Sequence, residues 1–338
     1  MTGVHLCGAL GFAALVLCGP SSAAANDSSV ELSIGGLTFT RNTDVSMESE
    51  TLTITPETVT VRYQFLNQSP NPVTLTVGFP LPDIDLSDPD ANLAIPAADP
   101  VNFVGFRTTV NGAPVSFDIR QRAVIGDKDV TDAVRGAGLP VLPLGEQAER
   151  IKALPAQTRD RLVDQGLLVP SGTDDRGAQR YDLGWTVKTS VLRQQTFPPG
   201  QPVTVEHRYR TSVGISFDTV LRKAVREQEA MAAEFRRYRA EYCVTDFFLR
   251  GIDRRAGAHD ENVARLQERR ISYVLRTGAN WAGPIKNFRL VVDKGKADRL
   301  VSFCGENVKR LTPTTFEMTA KNFTPQRDLK ILLIAVSE

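Results

Sequence analysis

The chain has 338 residues, of which 41% are hydrophobic and 23% charged, the balance of a folded globular protein and not of a disordered or fibrous one. Forty Lys and Arg face 39 Asp and Glu, so no global field draws it to nucleic acid or to an anionic membrane.

Leu6 to Cys18 is an uncharged apolar run, broken by Gly19-Pro20-Ser21-Ser22 and followed by Ala23-Ala24-Ala25. A short apolar core with small residues at the −3 and −1 positions predicts a secretory signal peptide over 1–25, cleaved after Ala25. The run is shorter than the roughly 20 residues that span a bilayer. The segment ahead of it lacks Lys and Arg, and a buried first helix is the alternative. Leu17 is too large to precede a lipidated Cys18. The expectation is an exported protein, periplasmic or secreted, with no transmembrane segment after cleavage.

Residues 26–216 read as an N-terminal β-sandwich-like domain. Val30 to Phe39 alternate but switch register at Gly35-Gly36, as a bulge or bend would. In Val59 to Phe65 the apolar residues fall on one face and Thr60, Arg62 and Gln64 on the other, the period of a half-buried strand. Val73, Leu75, Val77 and Phe79 repeat it. Asn111-Gly112, between Phe106–Val110 and Val115–Ile119, predicts a two-residue hairpin turn. From 124 to 178 the period changes to that of three short helices and a loop, with Pro155 opening one of them. Strands resume at Gly184. Val203, Val205, His207 and Tyr209 echo Val59, Val61, Tyr63 and Phe65, which makes both segments strands of one kind of sandwich.

Residues 217–268 read as helical. Leu221, Ala224, Met231, Phe235, Tyr238 and Tyr242 lie at helical spacing, predicting one long helix from Asp218 to Tyr242 with a packing face. Residues 269–338 return to strands. The fold class is therefore mainly β, a β-sandwich-type architecture with helical insertions and one long helix before the C-terminal strands.

With the leader removed, Cys243 and Cys304 are the remaining cysteines. In an oxidising compartment they most simply form one disulfide, closing a loop of about 60 residues worth roughly 4 kcal/mol; buried free thiols are the alternative. His207 and His259 are the remaining histidines. His207 falls on the core side of its strand and reads as a satisfied core residue, His259 as a solvated turn residue. The chain lacks a nucleophile elbow, a metalloprotease helix, a phosphate loop and a dinucleotide fingerprint, so no metal or cofactor is expected. Paired carboxylates leave no regular spacing and stay open. The loop carrying Asp83, Asp85, Asp88 and Asp90 has oxygen ligands for calcium but no calcium-hand pattern, and reads as a solvated loop.

Tyr273 to Gly295 holds Trp281 among small residues. It reads as two strands joined by a wide turn. Trp281 could be a stacking platform for a sugar or aromatic ligand, with Asn280, Lys286 and Arg289 as polar partners. It could also plug the end of the sandwich, and the plug is favoured because an exposed Trp is costly.

The stretches VTVRYQFLNQS, VGFPLPDI, TFPPGQPVTVEHRY, YCVTDFF, TGANWAGPIKNFRLVVDKG and LVSFCG together resemble the exported bacterial domain-of-unknown-function family 4424. The resemblance covers the whole chain after residue 25; the segment 128–180 is its weakest part. It implies an exported β-rich protein, with a disulfide characteristic of the family and no catalytic residues to carry over. The expected function is a non-enzymatic binding or interaction module of the cell envelope, its partner a glycan or a protein. The alternative is an envelope glycan or peptide hydrolase using His207 or a carboxylate pair.

Overall fold

A computed structural model describes residues 28–33, 36–87, 92–144, 147–256 and 266–336. The expected signal peptide, His259, Asp88 and Asp90 lie outside the described residues.

The two echoed segments turn out to be neighbours. Thr58–Asn67 and Pro202–Arg210 pair antiparallel, with Val205 opposite Tyr63 and His207 opposite Val61. Their inward residues, from Val59 to Phe65 and from Val203 to Tyr209, are all buried, because a period of two puts every second side chain on one face. They form the middle of a main sheet whose order is Lys309–Arg310, Thr315–Phe323, Ile285–Asp293, Val45–Ile54, Thr58–Asn67, Pro202–Arg210, Arg107–Val110 and Ala113–Pro114. Ile285–Asp293 pairs parallel with Val45–Ile54, so C-terminal strands complete a sheet begun near the N-terminus.

Asn111 and Gly112 take φ of 50 and 83°, and the chain reverses there as the Asn-Gly pair predicts. The return strand Ala113–Pro114 is short. The chain then crosses to an opposing sheet, ordered Lys128–Asp129, Asp118–Ile125, Thr186–Phe197, Val73–Pro80, Ser28–Ser33 and Gly36–Thr40. Ser28–Ser33 and Gly36–Thr40 pair antiparallel, Ser33 with Gly36, so they are two strands and not one alternating run; Gly35, where a register switch was expected, lies outside the described residues. The opposing sheet packs on the main sheet: the Phe79 ring lies 4.9 Å from that of His207 and 5.3 Å from that of Phe106.

A third sheet runs Leu300–Phe303, Leu329–Val336, Leu266–Tyr273, Val213–Ser216 and Asn92–Ala94. Ile331 and Leu333 enter the sandwich core, while Leu332 and Ile334 enter a second cluster with Tyr238, Phe248 and Ile252. Burial on both faces is why Ile331 to Val336 reads as an unbroken apolar run.

The expected long helix is broken into Lys223–Arg226, a 3₁₀ turn Glu229–Met231 and Ala232–Glu241. Arg222 and Gln228 carry ψ of 138 and 132° at the breaks. The first two pieces bury no side chain, and a short helix without a packing face does not hold together in water. The helix Asp246–Ala256, with Phe248, Leu249 and Ile252 buried, is the better amphipath. In the insertion the three helices are Thr131–Gly136, Gln147–Lys152 and Ala156–Asp164, and Pro155 caps the last. The expected loop after them is a hairpin of Leu168–Thr173 with Gln179–Leu183. The insertion is pinned to the sandwich by Trp185, whose buried Nε1 donates to the Val141 carbonyl at 2.9 Å.

Cys243 and Cys304 are bonded, with Cα atoms 5.0 Å apart. The bridge ties the end of helix Ala232–Glu241 to the strand Leu300–Phe303.

Candidate functional site

The Trp281 turn begins where strand Leu266–Tyr273 ends. Asp328 Oδ1 accepts from the backbone N–H of Leu275 and Arg276 at 3.2 and 3.3 Å, and Arg276–Asn280 then winds into a 3₁₀ turn. The turn is stitched to the start of the main sheet. Asn42 N–H donates to the Asn280 carbonyl at 2.7 Å, and Ala282 N–H to the Val45 carbonyl at 2.9 Å. Asn42 Oδ1 in turn accepts from Asp44 N–H and Val45 N–H, fixing the opposite wall. Gly283 supplies φ 78°, which lets the chain leave the turn toward Ile285.

Trp281 is 1% exposed, its ring 4.5 Å from Phe65 and 5.9 Å from Phe197. Its faces belong to the core, so the stacking-platform reading is corrected: the indole plugs the end of the sandwich. Lys286 and Arg289 are not drawn to it. Lys286 Nζ lies 2.7 Å from Glu48 Oε1, and Arg289 Nε lies 2.8 Å from Glu317 Oε1. Burial works to raise the Glu48 pKa, but hydrogen bonds from Lys286 and Ser46 and the Lys286 charge outweigh it and hold the carboxyl below its usual range. Arg289 lines a separate groove with Thr51, Asn287 and Lys321. Of the four predicted contacts, the turn itself carries Asn280 and Trp281, and the other two serve ion pairs on the strand that follows.

What the turn does build is a recess of about 570 Å³. Arg41, Thr43, Gln68 and Thr324 line it together with Trp281 and the Ala282-Gly283-Pro284 stretch. Arg41 has no carboxylate partner among the described residues, and Gln68 is steered by a hydrogen bond to Ser46 Oγ at 3.0 Å. The lining thus brings one guanidinium together with hydroxyl and amide groups.

His207 is 1% exposed and shares a hydrogen bond of 2.9 Å between Nδ1 and Thr108 Oγ1. The rings of Tyr63, Phe79 and Phe106 stand 4.9–5.7 Å from it. A general base must reach a substrate proton, and this imidazole is sealed from any. The hydrolase alternative built on His207 is corrected on that ground. Asp83 accepts from Lys188 Nζ at 2.8 Å, and Asp85 caps its own loop through Ser87. Among the described residues no three His, Cys, Asp or Glu side chains come together as a metal site.

Two buried carboxylates escaped the sequence reading. Glu50 is fully buried on Val45–Ile54, with Tyr63 and Phe288 as its strand partners. Glu268 is 1% exposed; its Oε1 accepts from Tyr238 Oη and Arg270 Nη1, each at 2.8 Å. Burial, with the Glu268 charge beside it, pushes the Tyr238 pKa up to about 12. For Glu50 the available signal was parity, since it shares a face with Leu52 and Ile54, where an apolar residue is the rule; Glu268 stands on the face opposite Ile271 and Tyr273 and carried no such signal.

The sandwich, the third sheet and the cystine bridge define a β-sandwich-type protein with a recess beside the Trp281 turn. The model of the family described as "Domain of unknown function (DUF4424)" matches residues 25–332, and the chain belongs to that family. No curated protein matches it. Among solved structures, a Legionella pneumophila protein provisionally named as nutrient binding is similar at 16% identity and TM-score 0.43, over 92% of this chain and 71% of that one. An M1 zinc metallopeptidase from Deinococcus radiodurans is similar at 10% identity and TM-score 0.26, over 87% of this chain and 43% of its own.

Proposed function

We propose that this protein is an exported binding module of the cell envelope, and that the recess beside Trp281 holds a polar ligand, an envelope glycan first. The observation that carries the reading is the recess itself: it is lined by the buried Trp281, by Arg41, which has no carboxylate partner among the described residues, and by Thr43, Gln68 and Thr324 with their hydroxyl and amide groups. The Cys243–Cys304 bridge supports export, since such bonds persist in oxidising compartments.

The test is a thermal-shift screen against envelope glycans, peptides and amino acids, with Arg41→Ala and Gln68→Ala alongside. Both side chains are exposed, so the variants keep the native melting temperature. A ligand at a hundred times its Kd adds about 2.7 kcal/mol of stability. A shift in the native protein that both variants lose places the ligand in the recess. A shift that both variants keep, or none with any ligand, rejects the proposal.

A further inference from the structure

Alternation along a strand sends one set of side chains to the core and the other set outward. On the main sheet Val61, His207 and Thr108 are the inward set, and their neighbours Arg62, Arg208 and Arg107 point the other way and are exposed. Arg208 stands directly opposite Arg107 on one neighbouring strand and Thr60 on the other. Two residues along in one direction, Glu206 stands opposite Arg62; two along in the other lies Arg210, also exposed.

Like charges directly opposite each other on paired strands repel, so the Arg107–Arg208 pair weakens the sheet it stands on. No other described residue holds the side chain of Arg62, Arg107, Arg208 or Arg210 in an ion pair or hydrogen bond. Further along the same face Arg289 is matched by Glu317, so the mismatch is confined to these strands. Four guanidinium groups and the one carboxylate of Glu206 share a patch about 10 Å across the strands and about 13 Å along them. The whole chain carries a net charge of +1, so this excess is local. The outward residues beside the arginines are Thr51, Thr53, Thr58, Thr60 and Thr109. Among the described residues, no large exposed hydrophobic side chain lies on these strands.

We infer that this outer face of the main sheet binds an acidic polysaccharide of the uronate type. The sugar carboxylates pair with the four arginines, and the sugar hydroxyls meet the threonines around them. Arginine suits the role because its charge is permanent and its planar fork matches a carboxylate. A protein partner would want aromatic or aliphatic anchors, and a single-stranded nucleic acid would want rings on which its bases stack. The patch offers neither, whereas charge and hydroxyl groups on an open sheet suit a charged sugar chain. The face shares no residue with the Trp281 recess and does not depend on a ligand there.

The test is fluorescence anisotropy of the whole protein with a labelled polygalacturonate oligosaccharide over a series of salt concentrations. The native protein binds it, and the logarithm of the affinity falls linearly with that of the salt concentration as counterions are released. A variant combining Arg62→Gln, Arg107→Gln, Arg208→Gln and Arg210→Gln changes exposed side chains only, relieves the Arg107–Arg208 repulsion and stays folded. It binds roughly tenfold or more weakly, with a shallower salt slope. A neutral oligosaccharide, poly-L-glutamate and single-stranded DNA all bind the native protein more weakly than polygalacturonate does. The inference is overturned if polygalacturonate does not bind the native protein, or if the folded quadruple variant binds it as the native protein does. It is overturned equally if poly-L-glutamate or single-stranded DNA binds as tightly. Loss of the sugar in Arg41→Ala but not in the quadruple variant would place it in the recess and overturn the inference as well.

Discussion

The hydroxyls of Tyr63 and Tyr273 meet at 3.1 Å, both side chains fully buried, one from the main sheet and one from the third. Residues 210 positions apart are thereby joined at the centre of the molecule, in contact with the layer that Phe79 brings from the opposing sheet. Removing either hydroxyl leaves its fellow one partner short inside an apolar core. Tyr63→Phe and Tyr273→Phe are each expected to cost about 1–3 kcal/mol, and the double variant less than their sum. Urea denaturation of the four proteins closes the cycle; additive losses would show that the pair does not couple the sheets.

Trp281 is a core side chain, and its loss is felt as stability. Trp281→Ala removes the plug between Phe65 and Phe197 and should cost about 3–5 kcal/mol, against less than about 0.5 kcal/mol for Arg41→Ala at the rim of the same recess. Chemical denaturation separates the two. A stable Trp281→Ala protein would mean that the indole belongs to the ligand and not to the core.

The helix Ala232–Glu241 ends on Cys243 at φ 51°, with Val244 N–H reaching back to the Arg239 carbonyl at 3.1 Å. This is the position where glycine usually closes a helix, and an L-residue there gives up about 1 kcal/mol. Two variants without the bridge isolate that cost: Cys243→Gly with Cys304→Ser should be about 1 kcal/mol more stable than Cys243→Ser with Cys304→Ser. Equal stabilities would show that the left-handed turn relaxes once the bridge is gone.

Five of the six tyrosines are buried; Tyr181 is the exception. Burial raises the pKa of Tyr209, Tyr238 and Tyr242, that of Tyr238 to about 12. The unfolded chain releases these protons near pH 10, the folded one only above it, so the unfolded state binds fewer protons in that window. The stability they contribute is intact below pH 10 and is lost as pH rises toward 12. Circular dichroism and tyrosinate absorbance followed together should change in one step. Buried tyrosines that ionise while the fold is intact would contradict this.

Legibility varied with how far each signal reached. The Val59–Phe65 and Val203–Tyr209 strands, the Asn111-Gly112 turn and the cysteine pair depend on local period, turn chemistry or simple counting, and each was readable. The helix from Asp218 to Tyr242 was misread because apolar spacing cannot say whether a partner surface exists for every turn. The same limit hid the site chemistry. Lys286 and Arg289 looked available beside Trp281, yet their counter-ions Glu48 and Glu317 come from other strands.

The parallel pairing of Ile285–Asp293 with Val45–Ile54 bears on biosynthesis. Asn287 Nδ2 donates to the Glu48 carbonyl 239 positions away, so on the ribosome one side of Val45–Ile54 stays unsatisfied until almost the whole protein has been made. Its antiparallel neighbour Thr58–Asn67 can form at once, leaving an apolar edge that other nascent chains could join. In any state in which Ile285–Asp293 has yet to dock, that side of Val45–Ile54 stays an open edge, so the parallel strand acts as the lid that closes the main sheet against pairing with other chains.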